Sequence, residues 1–304
     1  MAPRVSAPSP SFLPLPSPLT VEGRPRLVGV EIEFVDLSER RAAECLQAVL
    51  GGTVEEEDPY AFRLADSRLG NIGIELDMRH VHPRRDGPGR WLGPPLASWL
   101  GAAMQPFVPR EMIAAPLAPK RLGELDTVML TLREAGAGGE GAILTDSLGL
   151  HFNIMPVATD APTLLRLLQA YLVLEPSLRA EILISRLMRF HAPPPYPSAY
   201  VRRVLSPDYR PNLDDLCTDY LAANPTRKRS LDLLPLFLQL FPERVGPRIR
   251  GKVKPRSVLH YRLPLAYVGR PGWSLAADWN RWVAVEVLAN DPDRLAEACR
   301  RASA

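Results

Sequence analysis

Near the start of the chain two carboxylates stand two residues apart, in Gly29-Val-Glu31-Ile-Glu33-Phe34. Successive side chains of a strand point to opposite faces, so Glu31 and Glu33 would share one face while Val30, Ile32 and Phe34 pack the other. Neighbouring carboxylates repel unless something positive lies between them. Hard divalent cations meet that need, since Mg²⁺ takes one or two carboxylates together with substrate phosphates. A half-exposed strand with a solvated acidic face has the same alternation, and spacing alone leaves both readings open. Glu111 leads a second apolar run, EMIAAPL, and by itself reads equally as a solvated loop acid.

In Gly149-Leu-His151-Phe-Asn153 the same period places His151 and Asn153 on one face, an imidazole and an amide suited to a metal or a phosphate oxygen. A histidine hydrogen-bonded in the core is the alternative. His80 and His82 form an HxH pair that could ligate a transition metal, though no third and fourth ligand stands near them. Late in the chain come Lys252, Lys254, Arg256 and Arg262, cations of the kind that offset phosphate charge and stabilise a transferring phosphoryl group. Arg186, in ISRLMRF, ends a leucine-rich helical stretch, where a cation also complements the helix dipole.

These residues need elements to hold them. Residues 26–34 read as a strand, and Ser38 caps a helix that Gly51-Gly52 stops near Leu50. The segment 53–77 reads as two or three short strands, and 80–100, rich in Pro, Gly and Arg, as loop. A short strand at 111–117 and a helix over 119–135 follow, then a buried strand in ILTDSLGLHFNIMPVA. Leucine at helical spacing predicts helices over 161–175 and 176–190, and 213–241 is helical with a break near Asn224-Pro225. Residues 256–266 alternate like a strand, and 273–301 form a helix interrupted near Asn290-Asp291-Pro292, with Trp273, Trp279 and Trp282 packing the core. Strands first, helices in the middle, then a strand and a last helix argue an α+β fold. No GxxxxGK[ST] fingerprint is present.

The 304 residues suit one domain, and a net charge of +3 gives no argument for nucleic acid. Cys45, Cys217 and Cys299 are far apart and outside any CxxC, which fits a reducing, cytoplasmic setting rather than a disulfide framework. No apolar run reaches membrane-spanning length. The 33 prolines are the anomaly. They make residues 1–25 read as an extended, mobile arm, disordered or docking a partner enzyme of the same pathway, ahead of a body over 26–304 with a helical subregion at about 160–245.

Taken in order, GVEIEF, EMIAAPL, GLHFN, an SR after a helix and HYR resemble the amidoligase family, which is related to glutamine synthetase and glutamate–cysteine ligase. The resemblance spans roughly 27–290 and includes NPTRKRSLDLLPLF and WSLAADWNRWVAVE. It implies a glutamine-synthetase-like catalytic fold, a curved and largely antiparallel sheet with helices packed on one side. It implies ATP, Mg²⁺ (or Mn²⁺) and amide-bond formation through an acyl phosphate, on an amino acid or peptide-like acid. It places metal-binding acids at Glu31, Glu33 and Glu111, nucleotide or metal contacts at His151, Asn153, Lys254, Arg256 and Arg186, and catalytic roles at Glu111 and Arg262. Asp66, in ADSRL, resembles a further family position. Ala114-Ala115, Asn153 and His260 depart from the family pattern, which at the last two positions has histidine and glutamate. Those departures keep a non-catalytic nucleotide-binding protein as an alternative, and the HxH pair keeps a metal-dependent hydrolase as a third.

Overall fold

The computed structural model describes residues 11–78, 82, 108–143, 147–249 and 253–303. Eight strands form one sheet: β1 (Val28–Phe34), β2 (Thr53–Asp58), β3 (Ala61–Ser67), β4 (Gly70–Leu76), β5 (Arg110–Leu117), β6 (Leu150–Ile154), β7 (Leu231–Asp232) and β8 (Leu259–Tyr261). Their order is β2-β3-β4-β5-β1-β6-β8-β7, and every neighbouring pair is antiparallel. The chain thus folds as a mixed α/β protein around one large antiparallel sheet. Central β1 shows why it is a strand: Val28, Val30, Ile32 and Phe34 are all buried on one face, and Gly29, Glu31 and Glu33 take the other.

The helices are α1 (Glu39–Leu50), α2 (Gly123–Glu134), α3 (Ala161–Ile182), α4 (Arg186–His191), α5 (Ser198–Leu205), α6 (Leu213–Ala223), α7 (Leu234–Leu240), α8 (Pro242–Val245), α9 (Ala276–Ala289) and α10 (Pro292–Ser303). Ser38 caps α1 by accepting from the Arg41 amide, and Gly51 ends it at φ 70°, as the sequence predicts. Helices cover the apolar face of the sheet. Helix α1 packs on β3 and β4. The Trp279 ring of α9 meets Phe152 of β6 at 5.8 Å, and Trp282 and Tyr171 meet Tyr261 of β8 at 5.6 and 5.9 Å. Among the described residues, no helix is long and apolar enough to cross a membrane.

Four expectations change. Helix α3 runs unbroken through Pro176 to Ile182, because Leu172, Leu178 and Ile182 stay buried on one core and outweigh the lost amide donor. The strand expected over 256–266 shrinks to Leu259–Tyr261, bracketed by Pro255 and Pro264, which cannot donate to a ladder. The region 213–241 contains the two-residue β7 as well as helices. The arm expected to be mobile is docked over residues 11–25. Leu15 is buried, the Trp279 indole donates to the Leu13 carbonyl at 2.8 Å, and Asn280 bonds both the Leu13 amide and the Ser11 carbonyl. Proline removes donors from this segment but leaves its carbonyls, and α9 supplies the donors. The loop expected over 80–100 lies outside the described residues, His82 excepted.

A buried charge pair locks the arrangement. Arg26 donates to both Glu286 carboxylate oxygens at 2.6 and 2.7 Å, and to the carbonyls of Met155 and Ser17 at 2.8 Å each. The Trp282 indole completes the set on Glu286. One guanidinium therefore ties the N-terminal segment, the end of β6 and α9. Removing one partner strands the other charge in a dry core, which costs about 3–5 kcal/mol. Glu286→Ala is expected to lower the unfolding free energy measured in urea by an amount of that order, and an unfolding free energy unchanged from wild type would remove the pair from the account.

Candidate functional site

The polar face of the sheet carries three rows of paired positions. Glu75, Glu111 and Glu33 are partners across β4, β5 and β1. Gly73, Ile113, Glu31 and His151 form the next row, and Gly29, Asn153, His260 and Asp232 the third. Together they floor a cleft of about 1110 Å³. Asp77, Met78 and His82, which follow β4, line it as well, and so do Arg227, Lys254, Arg256 and Arg262, which flank β7 and β8. Acids thus gather over β4, β5 and β1, and cations over the β7–β8 edge.

Glu33, Glu111 and His151 bring ligand atoms within 4.8 Å of one another. The Gly149 amide holds one Glu33 oxygen at 2.8 Å. Gly149 also makes room for the imidazole, since a Cβ built there would lie 2.4 Å from His151 Nε2 and 3.2 Å from Glu33 Oε1. His151 Nε2 therefore faces Glu33, and its Nδ1 faces Glu31 Oε2 at 3.4 Å. An Nδ1–H donating to Glu31 leaves the Nε2 lone pair for a cation, the arrangement by which a carboxylate orients a metal-binding histidine. Burial lowers the His151 pKa and keeps the ring neutral. Burial, then the charges of Glu31, Asp77, Glu33 and Glu75, push the Glu111 carboxyl well above the usual carboxylate range. The Glu111 carboxyl, crowded by negative charge, together with Glu33 and a neutral imidazole nitrogen is a donor set that fits a divalent cation.

Glu31 is engaged differently. Its Oε1 accepts from the Asn153 amide at 2.8 Å, and Arg256 stands 3.9 Å away. Its Oε2 faces His151 and, at 3.6 Å, His260 Nε2. Burial alone would raise the Glu31 carboxyl, but the facing His260 and His151 rings and the Asn153 amide hold it well below its usual range. Burial and the neighbouring Arg262 push the His260 pKa well down. Arg262 meets His260 Nδ1 at 3.0 Å and lies 3.9 Å from Asp232, whose carboxyl burial pushes up to about 6.

Of the residues singled out in the sequence, Glu31, Glu33, Glu111, His151, Asn153, Lys254, Arg256 and Arg262 line this one cleft. Arg186 does not. Helix α3 ends at Ile182 and Ser185 caps α4, so Arg186 opens that short helix on the exposed surface, away from the cleft. Asp66 sits at φ 54° near the end of β3, where its amide donates to Asn71 Oδ1 of β4. His82 reaches the cleft wall, but both ring nitrogens are taken, at 2.9 Å each, by Asp58 and the Leu76 carbonyl. His80 and Lys252 lie outside the described residues. Sequence reasoning missed Glu75, Asp77, Arg227 and Asp232. Glu75 was within reach, since it lies two residues after Gly73 on the same strand face. Asp232 hides in the leucine-rich LDLLPLF, where a two-residue strand leaves no periodic signal.

Gly149→Ala is expected to weaken divalent-cation binding at least about tenfold with the far-UV spectrum unchanged, because the new methyl group displaces the His151 ring. Unchanged affinity by calorimetry would show that His151 does not hold the cation. His82 gives a pH prediction. Burial lowers its pKa, but the Asp58 and Leu76 contacts outweigh burial and raise it above the ordinary histidine value. A raised folded-state pKa contributes stability that is present below the unfolded value and lost as pH rises through the folded one. The melting temperature of His82→Gln should therefore trail wild type more at pH 5.5 than at pH 8.5, and an equal gap at both would refute the linkage.

Residues 24–284 match the model of the family described as "Putative amidoligase enzyme". Neither the curated proteins nor the solved structures give a match to the chain. The matched span takes in all eight strands and every cleft residue named above, so the chain belongs to the amidoligase family, enzymes classed as amide-bond-forming ligases.

Proposed function

We propose that the chain is an ATP-dependent carboxylate–amine ligase with a glutamine-synthetase-like catalytic fold. It would act through an acyl phosphate on an amino acid or peptide-like acid. The observation that carries this reading is the division of one cleft between carboxylates over β5 and β1 and cations beside β7 and β8. A nucleotide polyphosphate needs both, a divalent cation between protein carboxylates and phosphate oxygens, and fixed positive side chains on the remaining phosphate charge.

A carboxylate is a poor acyl donor because its leaving group would be oxide. Its oxygen attacks the γ-phosphorus of ATP, the bond to the β-phosphate oxygen breaks, and ADP leaves. The amine nitrogen then attacks the acyl carbon, the bond to phosphate breaks, and the nitrogen loses a proton as the amide forms. Glu33, Glu111 and His151 would hold Mg²⁺, with Mn²⁺ as the alternative ion, and Glu31 beside them would fix the His151 ring. When bound, the cation offsets charge on the phosphate oxygens. Arg262, held by Asp232 beneath it, and Lys254 and Arg256 at the cleft edge would stabilise the moving phosphoryl group. Asn153 keeps Glu31 in place.

The test is isotopic. The protein is incubated with ATP, Mg²⁺, amines and a panel of ¹⁸O-carboxylate-labelled amino acids and short peptides. An acyl phosphate transfers one label to the released phosphate as the amide appears. Arg262→Ala should lower kcat/KM by about 100-fold or more, in line with loss of a preorganised charge on the transferring group. Amide formed without ¹⁸O in phosphate would exclude the acyl phosphate, and no ADP or amide across the panel would favour a nucleotide-binding role without catalysis.

A further inference from the structure

Arg186, which the family resemblance assigns to the nucleotide, lies outside the cleft, in a segment with a surface of its own. Ile182 and Leu183 are buried, and so is Met188, whose sulfur accepts from the Tyr267 hydroxyl at 3.7 Å. Around these anchors the other apolar side chains face outward. Ile184 is 64% exposed, Leu187 41% and Phe190 83%, the last being the most exposed large apolar residue among those described. Single exposed apolar residues are ordinary, but three so close along the chain form a patch.

Helix α4 sets the geometry. Ser185 starts it by accepting from the Met188 amide at 3.1 Å. Residues three and four apart share a helix face, so Arg186, Leu187 and Phe190 stand together while Met188 takes the buried side. Arg189 flanks them and is exposed as well. The charge here has one sign. Residues 182–207 carry Arg186, Arg189, Arg202 and Arg203 and no Asp or Glu. Arg203 pairs with Asp219 at 2.7 Å, and the bordering Glu181 pairs with Arg281 at 3.1 Å. Among the described residues, the Arg186 and Arg189 side chains have no ion-pair partner.

A second copy of the chain fits this patch poorly. A two-fold contact would set Arg186 and Arg189 against themselves, with no acid in the segment to pair them. A stable protein interface also takes roughly 20–30 residues a side, and this patch is one short helix and its cap. Apolar tips among unpaired arginines match an anionic lipid surface instead. Its acyl boundary takes the tips, and its phosphates take the guanidinium groups.

We propose that α4 docks the chain on an anionic lipid surface, with Ile184, Leu187 and Phe190 entering the headgroup–acyl boundary and Arg186 and Arg189 meeting the lipid phosphates. The contact is peripheral, separate from the cleft and independent of the ligase reading.

The test sediments the full chain with vesicles of phosphatidylcholine alone and of phosphatidylcholine mixed with phosphatidylglycerol. Binding is expected to the mixed vesicles, to exceed that to phosphatidylcholine, and to fall as salt is raised, because the arginine contribution is screened. Arg186→Gln with Arg189→Gln should weaken binding to the mixed vesicles about tenfold or more. Ile184→Ser with Phe190→Ser should weaken it by about the same factor. All four side chains are exposed, so both variants should keep the wild-type melting temperature. In Phe190→Trp, indole fluorescence should shift to the blue on the mixed vesicles and be quenched by lipids brominated along the acyl chain. Equal sedimentation of wild type and the Ile184→Ser, Phe190→Ser variant would overturn the proposal, as would no sedimentation of wild type with the mixed vesicles at low salt. A wild-type dimer in light scattering that Phe190→Ser splits would also overturn it, by giving the patch to a second copy.

Discussion

Repulsion among buried carboxylates is the constraint from which the rest of the site follows. Glu33 and Glu111 are cross-strand partners, with oxygens inside a group spanning no more than 4.8 Å, and Glu75 continues the row. Two unit charges at that separation cost at least about 3 kcal/mol at an effective dielectric near 20. The raised Glu111 pKa expresses that cost, and a divalent cation would relieve it. Everything around the row is consistent with that need. Gly149 gives up a side chain so that His151 can stand beside Glu33, and its amide holds Glu33 from behind.

The fold makes this arrangement affordable by separating the two faces of one sheet. On β1 the apolar set Val28, Val30, Ile32 and Phe34 faces the helices, so the polar set is delivered to the opposite side by the pleat alone. Antiparallel pairing of β1 with β5 and β6 then aligns Glu33 with Glu111 and Glu31 with His151. A slip of one residue on any of these strands would bury carboxylates under the helices, so the core that fixes register also fixes the chemistry. The Arg26–Glu286 pair ties the start of β1 and the end of β6 to α9 behind this layer.

Much of this was legible in the sequence where a period survived. The Glu31-Glu33 and His151-Asn153 pairs were readable because each alternates with large apolar residues, and the structure brings them into adjacent rows. The first half of the sheet and the Ser38-capped helix were readable for the same reason and through the Gly51-Gly52 stop. What could not be read depends on contacts between distant segments. Arg186 stands in a plausible context, yet whether the helix before it continues was decided by the caps at Leu183 and Ser185. The proline-rich arm looked unable to order itself, and it orders because Trp279 and Asn280, some 270 residues later, offer donors to its carbonyls.

The most direct test of the central claim is calorimetric titration of the purified protein with a non-hydrolysable ATP analogue, with and without Mg²⁺, on wild type and on a Glu33→Ala, Glu111→Gln double variant. The account predicts binding that depends on Mg²⁺ in wild type and is lost in the variant while its melting temperature is kept or raised, since like charges have been removed. Nucleotide binding that is indifferent to Mg²⁺, or that survives removal of both carboxylates, would contradict it.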